Sequence, residues 1–114
     1  MDKIIAKIAA LGIPGLILVI AIHATGLTGA AALTAALAAI GPGGMIGGII
    51  TLGAGVIIAD AVTKYGFDAI YTGVVKELYK RGETKESIRE KIQNYPVSRD
   101  LKRKLQETLE NMPD

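Results

Sequence analysis

An all-α fold is predicted for this chain by three observations. Apolar side chains recur at helical spacing, the runs break at glycine and proline, and alanine and leucine fill the stretches between. The charge pattern then divides the chain. Residues 8–59 contain no Asp, Glu, Lys or Arg over 52 positions, and His23 is their only titratable side chain. Residues 60–114 hold 11 of the 13 basic and 10 of the 11 acidic side chains. A chain of 114 residues exposes much of its surface when folded and normally scatters charge along its whole length. Hydrocarbon or sister copies are therefore expected to cover the uncharged part. Residues 1–62 form an apolar membrane-inserting or oligomer-core region, and residues 63–114 a charged, cytoplasmic helical tail.

In the first segment Ile4, Ile5, Ile8 and Leu11 share one face with Lys3 and Lys7 opposite, an amphipathic helix suited to an interface. Gly12-Ile13-Pro14-Gly15 interrupts the apolar stretch 4–24. A helix either starts near Pro14, which suits a first-turn position, or bends there. Lys3 and Lys7 ahead of an apolar run have the layout of a secretory signal. Ile22-His23-Ala24 offers no small-x-small cleavage site, however, and the apolar character continues, so an uncleaved, retained segment is expected. Thr25-Gly26-Leu27-Thr28-Gly29 is the next soft point.

Residues 30–40 place Leu33, Leu37 and Ile40 at helical spacing among alanines, a short helix of about 16 Å that cannot span a bilayer alone. Gly41-Pro42-Gly43-Gly44 stops it, and residues 45–59 resume an apolar run. Eleven of the 14 glycines fall within residues 8–59. Gly43, Gly44, Gly47 and Gly48 make two small-xxx-small steps. With Gly53 they are the candidate helix-packing and oligomerisation residues, because a missing side chain lets helix backbones approach closely. The alternative is simple helix punctuation.

From Asp60 the pattern becomes amphipathic. Phe67, Ile70, Tyr71, Val74 and Leu78 form a stripe, Lys64, Asp68, Lys76, Glu77 and Lys80 fill the rest, and the helix ends near Arg81-Gly82. Thr84 is a candidate N-cap for a short helix bearing Ile88 and Ile92, and Tyr95-Pro96 breaks it. Ser98 caps a last helix with Leu101, Leu105, Leu109 and Met112 on one side. These two helices form a charged hairpin able to pack on itself, on the Phe67 helix or on a partner.

One histidine and no cysteine leave nothing from which to build a catalytic triad, a buried acid–base pair or a metal site, so neither enzymatic activity nor a cofactor nor a small-molecule substrate is expected. The glycines at 41–48 lack the Lys-Ser/Thr pair of a phosphate loop. A net charge of +2 gives no basis for nucleic-acid binding. His23 reads as a helix-terminal or interfacial residue rather than a proton-sensitive gate, and Asp60 as a charge at the water boundary. Residues 76–104 carry ten basic against five acidic side chains. Lys76, Lys80, Arg81, Lys102, Arg103 and Lys104 are candidates for contact with anionic lipid headgroups, the alternative being a solvated helix face.

At Ala24-Thr25-Gly26-Leu27-Thr28-Gly29-Ala30-Ala31-Ala32 and on through Gly41-Pro42-Gly43-Gly44-Met45-Ile46-Gly47-Gly48 the sequence resembles the small hydrophobic interferon-alpha-inducible protein family. The resemblance covers about a quarter of the chain and implies a membrane-associated Ala/Gly-rich core and membrane perturbation; the charged tail is not part of that family's pattern. The chain as a whole also resembles small bacterial membrane proteins with an apolar front and a Tyr-Pro-Val-Ser-like step before a basic helix. The function expected is that of a small membrane-inserting, self-associating protein that perturbs or permeabilises a bilayer. Basic residues flank the apolar part on both sides, so both ends are expected in the cytoplasm, with a membrane hairpin of residues 4–24 and 45–62. The alternative is a non-enzymatic structural or interaction module, a soluble helical oligomer that buries the apolar half between subunits.

Overall fold

The computed structural model describes residues 1–44 and 52–114, and every regular element within them is helical. The first helix, α1 (Asp2–Ala10), buries Ile5, Ile8 and Ala9 and leaves Lys3 and Lys7 in water, as its amphipathic spacing requires. Gly12 then takes φ 70°, ψ −147°, a conformation open in practice only to glycine. The chain turns there, and α2 (Ile13–Ala24) leaves with a bend of 114° from α1. Pro14 lies in the first turn of α2, where its missing N–H has no intrahelical partner to lose. The stretch 4–24 is therefore two helices, with the second starting near Pro14 as one of the two alternatives expected there. No single helix among the described residues is long and apolar enough to cross a membrane.

The axis of the fold is α2. Its buried residues are Ile13 and every position from Gly15 through Ile22, and α1 and α3 to α7 all pack against it. A helix that is apolar on all sides must be covered on all sides, and here six neighbours from the same chain provide the cover. This corrects the expectation that hydrocarbon or sister copies must shield residues 16–22. The shell comes in part from the charged half, whose helices are amphipathic and turn their apolar stripes inward.

Helix α3 (Gly29–Gly44) packs on α2 and on α4 (Leu52–Tyr65). It breaks where the glycine–proline cluster predicts, at Gly41, with φ 75° and ψ 171°. Residues 45–51, which include Gly47, Gly48 and the start of the expected second crossing, lie outside the described residues. After Gly66, α5 (Phe67–Lys80) buries Ile70, Tyr71, Val74, Val75 and Leu78. That is the predicted stripe with Val75 added, and Phe67 at its end is only half-buried.

The last two helices, α6 (Lys85–Gln93) and α7 (Arg99–Leu109), start at the expected caps. The Thr84 hydroxyl accepts from Ser87 N–H at 3.0 Å, and the Ser87 hydroxyl accepts from Thr84 N–H at 2.8 Å. Ser98 accepts from Leu101 N–H at 3.3 Å. Replacing Thr84 with alanine orphans one end of this reciprocal pair and should cost about 1 kcal/mol in chemical denaturation. The apolar sides of both helices face inward: Ile88, Ile92, Leu101, Leu105, Leu109 and Met112 are all buried. One hydrophobic cluster runs from Ile5 to Met112, so the charged and uncharged halves share a core. The expected division at residue 62 falls inside α4.

Candidate functional site

The exterior of α3 and of the first half of α4 is the most unusual surface of the molecule. Ala32, Leu33, Ala36 and Ile40 of α3 face the core, which turns Ala30, Ala31, Thr34, Ala38 and Ala39 outward. On α4 the outward positions are Gly53, Val56 and Ile57, and the first charge on that side is Asp60. A helix face turned to water ordinarily carries ionised side chains; this one carries none over either helix until that point. Val56 and Ile57 are 46% and 43% exposed.

Glycine brings α3 and α4 together, at a residue the sequence reading did not single out. A Cβ at Gly55 would lie 2.6 Å from Cδ1 of Leu33, so α4 seats Leu33 directly against its backbone. Gly55 and Ala59, four apart and both buried, form the small-xxx-small step that marks this contact. Gly53, the expected packing residue, is exposed one turn edge away, and Gly43 and Gly44 close the end of α3.

The candidate headgroup residues lie on two helices, α5 with its C-cap Arg81, and α7. Lys76 and Lys80 are exposed on α5. Arg81 pairs with Glu77 at 3.5 Å and donates to the Ala6 carbonyl at 3.4 Å, tying the end of α5 to α1. On α7, Arg103 pairs with Asp100 at 3.4 Å, Lys102 is half-buried and Lys104 is exposed. Lys104 also lines a groove with Ala35 and Ala39 of α3, while Lys7 and Lys64 line another with Ile57 of α4. The charge-free exterior thus has lysines at two of its edges.

A set of long-range hydrogen bonds fixes the C-terminal segment over the core. The Tyr71 hydroxyl donates to the Thr108 carbonyl at 3.2 Å, Tyr79 to the Pro113 carbonyl at 2.7 Å, and Arg89 to the Leu109 carbonyl at 3.4 Å. Lys85 closes the end with an ion pair to Asp114. Burial, reinforced by the neighbouring Tyr79, pushes the Tyr71 phenol up to about 12. A raised folded-state value means that the unfolded chain loses this proton first as pH rises. The contribution of Tyr71 is then complete below pH ~10 and fades between about 10 and 12. Wild type should accordingly lose more stability across that window than Tyr71→Phe, in denaturation midpoints taken at matched pH values.

His23 ends α2 on the surface, as its position predicts, with its ring stacked on Phe67 at 3.9 Å and 11°; Phe67 in turn stacks on Tyr71 at 5.3 Å. The ladder joins the end of α2 to the start of α5. Among the described residues no group of three or more His, Cys, Asp or Glu side chains is placed to hold a metal ion. Against known proteins, no family model, no curated protein and no solved structure matches this chain.

Proposed function

We propose that this is a small, self-associating helical protein that engages and perturbs a bilayer through the charge-free exterior of α3 and the start of α4. One observation carries the reading: outward positions from Ala30 to Ile57 bear no ionised group among the described residues, although Ala30, Ala31, Thr34, Ala38, Ala39, Val56 and Ile57 are exposed. Hydrocarbon accepts such a face without the cost of desolvating charge. Lys7 and Lys64 beside Asp60, and Lys104 beside Asp100, stand at its edges; the lysines suit an anionic headgroup layer, and the two acids limit how closely it approaches.

The α1–α2 pair adds a route to deeper insertion. By length and composition it is the one bent pair among the described helices that meets the requirements of a span. Straightening at Gly12 would draw α2 out of its shell and make it continuous with α1. Release of a trapped dye from anionic liposomes tests the reading. Release should rise with the protein-to-lipid ratio and weaken as salt screens the lysines; no release at any ratio removes the activity.

The soluble oligomer is the second reading, and it has its own support. Residues 16–22 are already covered within the single chain, so sister copies would need to cover only the α3–α4 exterior. A discrete oligomer in detergent-free buffer that never sediments with membranes favours this reading, whereas retention in membranes through a carbonate wash favours the first.

A further inference from the structure

A shallow groove runs between α1 and α4. Its apolar surface comes from Ile4 and Leu11 on one side and Ile57 on the other, and Lys7, Asp60 and Lys64 stand along it. Ile57 and its neighbour Val56 are the most exposed large apolar side chains on any helix of the described chain. Beside them, Lys7 and Asp60 make no ion pair; the four ion pairs among the described residues all lie on α5 to α7 and the C-terminus. The groove therefore combines the exposed Ile57 with three charges that form no ion pair, Lys7 and Lys64 against Asp60.

That combination selects an occupant. Anionic lipid would gain from Lys7 and Lys64, but the Asp60 carboxylate repels headgroup phosphate and is costly against hydrocarbon. A patch that carries both signs is, in contrast, complementary to itself when rotated by a two-fold axis, the geometry of most homodimers. We propose that the α1–α4 groove is the docking site for a second copy of this chain. Each copy's Lys7 meets the other's Asp60, and the two Ile57 side chains fill the space between. The inference rests on the self-association part of the proposed function and competes with its bilayer part for one edge, since Lys7, Ile57 and Lys64 border both.

Sedimentation equilibrium of the full chain in detergent-free buffer tests it. Wild type should dimerise. Lys7→Asp and Asp60→Lys should each weaken the dimer about tenfold or more, because each places like charges opposite one another twice. The double variant Lys7→Asp/Asp60→Lys should recover most of the affinity, which a merely destabilised fold would not. Lys7, Ile57 and Asp60 are all exposed, and circular dichroism checks that each variant keeps its helices. A monomer at every concentration overturns the proposal. So does a dimer indifferent to both reversals, or a chain that stays monomeric while Ile57→Asp abolishes its flotation with anionic vesicles. Dye release from the same variants keeps the two readings apart. Release by a wild-type monomer sinks the docking site alone, and a charge-dependent dimer that releases no dye sinks the bilayer reading alone.

Discussion

Gly15→Ala should be among the most damaging single-methyl additions in this protein. A Cβ at residue 15 would lie 2.6 Å from the carbonyl oxygen of Ile8 and 3.0 Å from Cβ of Leu11. Both belong to or abut the backbone of α1, so no side-chain rotation relieves the clash, and the 114° bend would have to open. Overpacking of this kind costs about 1–3 kcal/mol and exceeds the gain of up to about 1 kcal/mol from alanine in a helix. A melting temperature lower by several degrees follows, at roughly 4 °C per kcal/mol for a domain of this size. Gly73→Ala is the matched comparison. There the new Cβ also meets an atom at 2.6 Å, but that atom is Cδ1 of Ile5, the movable end of a side chain. The two substitutions add the same group at the same distance, and only the first should unfold the molecule appreciably.

The second large effect belongs to α7. Leu105 is completely buried in a helix that packs on α2 and α6. Leu105→Ala should remove about 2–5 kcal/mol, from lost transfer energy and the cavity left behind. Part of that loss is local, because α7 packs against α2 and is secured at Thr108 by the Tyr71 hydrogen bond, with Tyr79 holding Pro113 just beyond it. At 1.4 kcal/mol per decade, opening of the α2 shell should become at least about tenfold more frequent. Amide exchange across residues 16–22 reads that opening directly. If exposing α2 is a step toward bilayer insertion, the same variant should also release dye faster per mole of protein.

Local features were legible in the sequence because they depend on neighbours a few residues away. The turn at Gly12-Pro14, the break at Gly41, the caps at Thr84 and Ser98 and the inward stripe of α7 all rest on such short-range rules. What covers α2 was not legible. A run of 52 uncharged residues reads alike whether lipid, a sister copy or the chain's own amphipathic helices surround it, since periodicity within a segment does not name the partner of its face. The clue lay in the charged half: Ile70, Val74, Leu101 and Leu105 form stripes that need an apolar surface, and α2 supplies one. The close-approach glycines were missed for the same reason. Gly15, Gly55 and Gly73 matter through Ile8, Leu33 and Ile5, and two of those three partners sit more than a dozen positions away in sequence. The exterior of α3 was partly legible, because the absence of charge was plain but the side it occupies became definite only once Leu33, Ala36 and Ile40 turned inward.

Whether the exterior of α3 meets hydrocarbon can be measured on single residues, because the chain has no cysteine of its own. A polarity-sensitive fluorophore attached at Ala38→Cys on α3 or at Glu90→Cys on α6, both exposed sites, reports its surroundings when anionic vesicles are added. A blue shift with enhanced emission at position 38 and none at position 90 is the expected result. No shift at either site, or equal shifts at both, would contradict engagement of the bilayer through the charge-free face.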